Sequence, residues 1–238
     1  MKKRIDILLV EKGLVRSRTV ATELIRAGEV LVDNVSVKKP SEHISIDSPI
    51  EVKSKPPFVG RGGQKLDHAL SKFKIDVRDR VVVDVGASTG GFTDCVLQRG
   101  AKKVYAIDVG RGQLAPEIRE EPRVVSMEET DIRNVNISEY ADLVVVDVSF
   151  ISVKNILTSI VALLKEGGTA VLLIKPQFEV GKGKLGKGGV VRDESLQETS
   201  ARTVVEKAGE LGLSFLGMID SPILGGSGNK EYLAYFKK

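Results

Sequence analysis

Four charged residues close to the ends of apolar segments are candidates for proton transfer. Lys175 ends the apolar run TAVLLIK, and Pro176 after it favours an extended backbone at a strand terminus. A lysine there is costly unless it is paired or used, and with a lowered pKa it can act as a base toward a hydroxyl group. Its expected neighbours are Asp147 at the carboxyl end of LVVVDV, Lys65 in RGGQKL and Glu231 in NKEYL. Taken singly, Lys65 and Glu231 could equally be ordinary surface charges at strand ends.

A glycine-rich turn between two apolar runs predicts a second kind of site, for a nucleotide-like ligand. In residues 84–110, DVGASTGGFTDCVLQRGAKKVYAIDVG, a strand, a turn, a helix and a second strand follow one another, and the second strand ends in Asp108. The glycines let the backbone approach a ligand, and an acid at that position can hold ribose hydroxyls. The spacing is not G-x-G-x-x-G, which favours a small ligand with adenosine at one end over a dinucleotide. In the alternative interpretation, the glycines only make turns and the acids only cap helices.

This segment resembles the S-adenosylmethionine pocket of class I methyltransferases. The resemblance implies that the first-strand acid and the glycine turn hold the amino-acid part of the cofactor, and that Asp131 lies near adenine. Two target chemistries are disfavoured. For adenine N-methylation, two prolines would be expected at the positions of Val148 and Ser149. Carbon-5 pyrimidine methylation needs a nucleophilic cysteine, whereas Cys95 lies on the cofactor helix. The candidate cofactor residues are Asp84, Gly86, Ala87, Ser88, Gly90, Gly91, Asp108 and Asp131.

The elements that position these residues follow from the pattern of apolar runs after Val81. Continuous apolar runs alternate with amphipathic stretches, which predicts strands covered by helices on both faces. The expected fold class is therefore α/β, a doubly wound Rossmann-like sheet. The last two runs, SFLGMI and EYLAYF, are expected to form a terminal antiparallel pair.

The N-terminal residues have a different pattern and predict a small α+β module. Ser17 is expected to cap a second helix that stops at Gly28, and VLVDNVSV predicts a hairpin with its turn at Asp33 and Asn34. The prolines and glycines that follow predict a linker. The predicted domains are residues 1–53 and 61–238, with the linker at 54–60.

Positive charge is concentrated in the N-terminal third of the chain. Residues 1–80 contain 17 Lys and Arg against 11 Asp and Glu, whereas residues 81–238 contain 19 against 21. This asymmetry favours an anionic partner for the first part, with a solvated basic face as the alternative. The segment GKGKLGKG at 181–188 has Gly188 where a P-loop needs Ser or Thr, and is interpreted as a loop able to contact phosphate.

Five motifs connect the chain to a known family. RGGQKL, DVGASTGGFT, VVVDVSFIS, LIKPQFE and NKEYL occur in the order found in the TlyA family, which the chain resembles over nearly its whole length. The resemblance implies an S-adenosylmethionine-dependent RNA ribose 2′-O-methyltransferase, with an FtsJ-like catalytic domain behind an S4-type RNA-binding domain. It also implies that Lys65, Asp147, Lys175 and Glu231 form the K-D-K-E tetrad of FtsJ-like enzymes. Lys175 would activate the 2′-hydroxyl, Asp147 and Lys65 would orient that lysine and the ribose, and Glu231 would hold the charge state of the lysine. Gly60 departs from the family pattern, in which a polar residue is expected.

The S4 resemblance implies a surface that contacts the phosphates of structured RNA, expected to be ribosomal RNA or ribosomal subunits. Few aromatic residues lie in this region, which favours recognition of shape and backbone over base stacking. The candidate RNA contacts are all basic: Arg4, Arg16, Arg18, Arg26, Lys38, Lys39, Lys182, Lys184 and Lys187.

Other sequence features exclude several function classes. No apolar stretch reaches the roughly 20 residues of a bilayer-spanning helix, and the N-terminal segment does not read as a secretion signal. One cysteine and two separated histidines, His43 and His68, predict neither a disulfide nor a metal site, so we expect no metal and a cytoplasmic location. Two alternative functions stay open. One is a membrane-active protein, since members of this family are often labelled haemolysins, and the other is a non-catalytic RNA-binding or ribosome-assembly factor.

Overall fold

The chain divides into two units, Met1–Pro57 and Phe58–Lys238. The structure is a computed structural model that describes residues 1–15, 17–53, 56–181 and 183–238. The division after Pro57 falls inside the segment that the sequence predicts as a linker. Two of the predicted RNA contacts, Arg16 and Lys182, lie outside the described residues, as do Ser54 and Lys55 of the predicted linker.

The first unit is an α+β module whose turns are set by local side chains. Its elements are β1 (Lys2–Arg4), α1 (Ile5–Glu11), α2 (Arg18–Ala27), β2 (Val30–Val32), β3 (Val35–Ser36), β4 (His43–Ser45) and β5 (Ile50–Val52). Ser17 caps α2 by accepting a hydrogen bond from the Val20 backbone NH at 3.3 Å, and Gly28 ends the helix with φ +78°. Asp33 and Asn34 both have positive φ, which the two-residue turn between β2 and β3 requires. The predicted cap, stop and hairpin of this unit are confirmed.

The strands of the first unit pair antiparallel. Among the described residues, β2 lies between β3 and β5, and β1 pairs with β4. Side chains such as Ile5, Leu9, Ile25 and Val30 are buried between the helices and strands. This small core fixes the helices against the sheet and leaves basic side chains on the outside.

The second unit alternates strands and helices along its length. Its α-helices are α3 (Gly62–Lys72), α4 (Gly91–Gln98), α5 (Pro116–Arg119), α6 (Leu157–Leu163), α7 (Pro176–Glu179) and α8 (Glu194–Glu210). Its strands are β6 (Val81–Val85), β7 (Lys103–Ile107), β8 (Val124–Met127), β9 (Ala141–Val146), β10 (Leu164–Ile174), β11 (Ser214–Asp220) and β12 (Tyr232–Lys237). Short 3-10 turns lie at Ile132–Asn134, Val153–Ile156 and Lys187–Gly189.

Within the described residues, these strands form one sheet in the order β11-β12-β10-β9-β6-β7-β8. β8, β7, β6, β9 and β10 run parallel, and β12 is antiparallel to both β10 and β11. Apolar side chains are buried on both faces, as continuous apolar strands require. The predicted α/β class and the terminal antiparallel pair are confirmed.

The strand order reverses between β6 and β9, which are neighbours in the sheet although β7 and β8 separate them in the chain. Val85 at the end of β6 lies opposite Val146 at the end of β9, so both strands end at the same level. Ligands of open α/β sheets bind outside the carboxyl ends of the strands at such a reversal. The residues that follow Val85 and Val146 therefore occupy the expected binding edge.

Candidate active site

The turn after β6 is shaped by residues with left-handed backbone. Gly86, Ser88 and Gly90 have φ of +82°, +48° and +93°. A Cβ added at Gly86 would lie 2.5 Å from the backbone carbonyl oxygen of Asp147, so only glycine allows the ends of β6 and β9 to come this close. The turn feeds directly into α4, which begins at Gly91.

Two cavities open at this edge of the sheet and share the turn. The larger, of about 350 Å³, has apolar walls that include Val85, Ile107 and Ile132. The smaller, of about 170 Å³, lies on the side of Lys175. Of the predicted cofactor residues, the larger cavity is lined by Gly86, Ser88, Asp108 and Asp131, and the smaller by Gly86, Ala87, Ser88 and Gly91.

Asp108 and Asp131 are two acidic residues in the lining of the larger cavity, which Asp147 also lines. Asp108 Oδ2 accepts a hydrogen bond from the Ser88 backbone NH at 2.8 Å, and Oδ1 accepts one from the Gly110 NH at 2.7 Å. Asp131 caps a 3-10 turn and is paired with Arg133, which lowers the pKa of Asp131 to about 2. Both groups are hydrogen-bond acceptors in fixed positions, which suits the recognition of hydroxyl and amino groups.

Asp84 and Gly90 lie outside the lining of both cavities, unlike the other predicted cofactor residues. The Asp84 side chain is fully buried and accepts a hydrogen bond from Thr93 Oγ1 at 2.6 Å, while its Oδ1 has no partner among the described residues. Burial raises the pKa of Asp84 to about 7, and the negative charge of Asp147 acts in the same direction. Asp84 therefore holds α4 through Thr93 and lines neither cavity. Gly90 allows close packing against Ile118.

Lys175 is held at the wall of the smaller cavity by two oxygen atoms. Its Nζ lies 2.6 Å from Asp147 Oδ1 and donates a hydrogen bond to Ser149 Oγ at 2.8 Å. The side chain is 10% exposed, and the backbone before Pro176 is extended, with φ −113° and ψ +102°. The predicted proximity of Lys175 and Asp147 follows from their places at the ends of the adjacent strands β10 and β9.

Lys65 and Glu231 form a second ion pair, separate from the first. Lys65 Nζ on α3 lies 2.6 Å from Glu231 Oε2 before β12, and the two side chains are 7% and 3% exposed. Neither residue lines the two cavities. Within the described residues, no hydrogen bond or ion pair joins Lys65 or Glu231 to Lys175 or Asp147. The four predicted residues are thus arranged as two pairs.

The loop after β9 is fastened to α7 by a buried carboxylate that the sequence interpretation missed. Glu179 accepts hydrogen bonds from Ser152 Oγ at 2.6 Å and from the Val153 backbone NH at 2.8 Å. Lys154 Nζ lies 3.5 Å from the same carboxylate. These contacts fix the loop that carries Ser149, next to the helix that follows Lys175.

Phe150 in this loop was also missed. Its backbone has φ +65°, and its ring is 93% exposed at the edge of the larger cavity. The ring centroid lies 5.5 Å from that of Phe178. An exposed aromatic side chain in left-handed backbone is unusual and occurs preferentially at functional sites. The sequence signal was the polar and aromatic pair that stands two and three residues after the strand-end acid in DVSF.

The predicted RNA contacts of the first unit differ in their surroundings. Arg4 and Arg18 each hold the buried Asp6 carboxylate, at 2.9 Å and 3.0 Å, which lowers the pKa of Asp6. Arg26 and the pair Lys38–Lys39 are exposed. Arg4 and Arg18 therefore stabilise their own unit as well as carrying positive charge on its surface.

Lys184 and Lys187 of the second unit are exposed in the glycine-rich loop after α7. The buried Asn229 side chain anchors the end of this loop, because it accepts a hydrogen bond from the Val191 NH at 2.9 Å and donates one to the Gly189 carbonyl at 3.1 Å.

None of the helices in the described residues is both long and apolar enough to cross a membrane.

The cavities fit S-adenosylmethionine by the groups that surround them. The backbone of the glycine turn would take the amino-acid part, Asp108 would accept hydrogen bonds from ribose hydroxyls, and the apolar walls together with Asp131 would hold an adenine ring. The two cavities share Gly86, Ser88, Asp147 and Ser149, so one ligand can extend from the larger into the smaller.

Comparison with known proteins agrees with this geometry. The FtsJ-like methyltransferase family model matches residues 58–238, and the S4 domain model matches residues 3–49. The chain is 45% identical to the 16S/23S rRNA (cytidine-2′-O)-methyltransferase TlyA of Mycobacterium tuberculosis, over 99% of this chain and 90% of that protein.

Solved structures are similar as well. A structure of a protein described as a hemolysin, from Streptococcus thermophilus, has a TM-score of 0.78 at 41% identity and covers 100% of this chain and 88% of that one. A protein from Listeria monocytogenes that is described as an S-adenosylmethionine-dependent methyltransferase shares the fold at 18% identity, with a TM-score of 0.56 over 75% of this chain and 99% of that one. The family resemblance of the sequence motifs is thereby confirmed, and the chain belongs to the FtsJ-like methyltransferase family, with an S4 domain in front and S-adenosylmethionine as its cofactor.

Proposed function

We propose that this protein methylates the ribose 2′-hydroxyl of ribosomal RNA, with Lys175 as the general base. The observation that carries the proposal is the position of Lys175 Nζ, 2.6 Å from Asp147 Oδ1 on the wall of the smaller cavity. A ribose hydroxyl is a weak nucleophile, so its oxygen needs a neighbouring group that removes the proton during attack. Arg61 and Lys175 both line the same cavity as the glycine turn and Asp147, and of these two only Lys175 can act as a base, because an arginine side chain stays protonated.

The cofactor would be held by the turn at Gly86–Gly91 and by Asp108 and Asp131. It supplies an electrophilic methyl group whose leaving group is a neutral thioether. Lys175 in its amine form accepts the proton of the 2′-hydroxyl at Nζ. Asp147 then stabilises the ammonium that forms, through a charge-assisted contact across 2.6 Å. Fixed positions and charge neutralisation supply most of the rate enhancement.

Ribosomal RNA is the substrate that the relatives and the charge of the chain favour. The TlyA relative is named for cytidine 2′-O-methylation of 16S and 23S rRNA. The first unit matches the S4 domain model, and exposed Arg26, Lys38 and Lys39 provide positive charge for phosphate contacts. The exposed ring of Phe150 offers a surface on which an unstacked base can rest. This function requires a location in the cytoplasm.

Transfer of labelled methyl groups tests the proposal. Purified ribosomal subunits and deproteinised ribosomal RNA are incubated with labelled S-adenosylmethionine and the wild type, Lys175→Ala or Lys72→Ala. Lys72 is an exposed lysine in the last turn of α3, and serves as the matched control. We expect transfer by the wild type and Lys72→Ala, and a loss of at least about 100-fold in Lys175→Ala with cofactor binding retained.

Two other outcomes would redirect the assignment. RNA binding and cofactor binding without transfer by the wild type would indicate a non-catalytic RNA-binding or assembly factor. Release of dye from liposomes at nanomolar protein would support the membrane activity suggested by the hemolysin description of a relative.

A further inference from the structure

Ser149 occupies a position against Lys175 that the general-base role alone does not explain. Its Oγ accepts a hydrogen bond from Lys175 Nζ at 2.8 Å. Ser149 lies in the loop after β9, and Lys175 follows the neighbouring strand β10. Ser149 lines both cavities, so its hydroxyl lies where the two cavities join. The same Nζ is 2.6 Å from Asp147 Oδ1. Lys175 therefore has two oxygen partners, one charged and one neutral.

Two partners have a stereochemical consequence for an amine. A neutral lysine amine has two N–H bonds and one lone pair, arranged tetrahedrally with the Cε–Nζ bond. Ser149 accepts one N–H bond, which leaves two positions for the lone pair. Asp147 Oδ1 lies 2.6 Å from Nζ as an ion-pair contact, and its negative charge disfavours a lone pair on its own side, so the lone pair takes the other position. The amine then presents its lone pair in a fixed direction.

The loop keeps Ser149 in place for this task. Glu179 accepts hydrogen bonds from Ser152 Oγ and the Val153 backbone NH in the same loop. The hydroxyl therefore belongs to a segment that is tied to α7 close to Ser149. A fixed acceptor can orient a partner, whereas a mobile one cannot.

We propose that Ser149 is a positioning residue that, together with Asp147, aims the lone pair of Lys175 at the ribose hydroxyl. The inference rests on the proposed function, in which Lys175 is the general base. Loss of the Ser149 hydroxyl leaves the amine free to rotate, so the fraction of productive orientations falls. Orientation errors of this kind cost on the order of 10- to 100-fold in rate. The groups expected to hold the cofactor are the turn at Gly86–Gly91, Asp108 and Asp131, so the rate should fall much more than the cofactor affinity.

The test compares single-turnover methyl transfer to deproteinised ribosomal RNA at saturating cofactor in the wild type, Ser149→Ala, Ser149→Thr and Ser152→Ala. Ser149→Thr keeps a hydroxyl at the same position. Ser152→Ala loosens the same loop by removing a contact to Glu179, but leaves both oxygen partners of Lys175. Cofactor affinity is measured for each variant by calorimetry.

We expect the rate of Ser149→Ala to be about 10- to 100-fold lower, with unchanged cofactor affinity and unchanged KM for RNA. The rate of Ser149→Thr should be close to that of the wild type, and Ser152→Ala should lose less activity than Ser149→Ala. A KM or cofactor-affinity effect at an unchanged rate would make Ser149 a ligand contact and overturn the inference. Equal losses in Ser149→Ala and Ser152→Ala would assign the effect to the loop and also overturn it.

Failure of the inference can be told from failure of the proposed function. Only the inference fails if the wild type transfers methyl, Lys175→Ala does not, and Ser149→Ala is as active as the wild type. That result would show that Lys175 needs no second partner. If the wild type transfers no methyl to any ribosomal RNA substrate, the proposed function fails, and the inference with it.

Discussion

Breaking the buried Lys65–Glu231 pair should destabilise the second unit strongly, whereas removing both charges should not. The two charged atoms lie 2.6 Å apart, which corresponds to an attraction of about 6 kcal/mol at an effective dielectric constant of about 20. The cost of burying both charges is of similar size, so the net contribution of the pair to stability is small. A single substitution leaves one buried charge without a partner, at a cost of about 3–5 kcal/mol.

The assay is urea unfolding of Lys65→Met, Glu231→Leu and the double variant, followed by tyrosine fluorescence. The chain has four tyrosines and no tryptophan, and all four tyrosines lie between residues 105 and 235, so the signal reports the second unit. We expect each single variant to lose about 3–5 kcal/mol in the free energy of unfolding and the double variant to lose much less than the sum. Single losses under about 1 kcal/mol, or losses that simply add, would refute the interpretation of a buried, mutually dependent pair.

Three further predictions concern the same unit. Burial raises the pKa of Asp84 from its ordinary value of 3.8 to about 7, so between those pH values the folded chain keeps a proton that the unfolded chain has lost. The free energy of unfolding should therefore fall by up to about 4 kcal/mol as pH rises through this window. Urea unfolding at pH 4.5 and 8 should show this fall for the wild type but not for Asp84→Asn. The same pH dependence in both proteins would contradict the prediction. Phe150→Ala should change stability by less than about 0.5 kcal/mol, because the ring is 93% exposed, but should lower methyl transfer to ribosomal RNA by 5-fold or more, as expected for a lost stacking contact of about 1–3 kcal/mol. Tyr140→Ala, which removes another exposed ring away from both cavities, is the control, and equal activity of the two variants would exclude a role for the Phe150 ring. Burial also raises the pKa of the Cys95 thiol to about 12, so iodoacetamide at pH 8 should label Cys95 only as the unit unfolds in urea; fast labelling of the folded protein would show that the thiol is accessible.

The sequence predicted those features that local rules control. Ser17, Gly28, Asp33 and Asn34 act through neighbouring backbone, so their roles as cap, stop and turn could be read directly. The edge of the sheet that carries the site was predictable too, because parallel strands bring their carboxyl ends together. The proximity of Lys175 to Asp147 followed from this rule.

Features that depend on packing between distant segments were not predicted. The pairing of Lys65 with Glu231, 166 residues apart, depends on how α3 lies against the start of β12. The full burial of Asp84 depends on α4 covering the end of β6, and the sequence showed only an acid at a strand end. The position of Ser149 depends on the path of its loop, and that path is fixed by hydrogen bonds to Glu179 of α7.

The chemical position of the transferred methyl group tests the central claim most directly. Ribosomal RNA methylated by the wild type, Lys175→Met and Lys72→Met with labelled cofactor is hydrolysed in alkali, and the products are separated by size. A methyl group on the 2′-oxygen blocks cleavage of the adjacent phosphodiester bond, so the label should appear in an alkali-resistant dinucleotide for the wild type and Lys72→Met, and should be absent for Lys175→Met. Label in mononucleotides would place the methyl group on a base, and an undiminished dinucleotide signal from Lys175→Met would show that Lys175 is not the base.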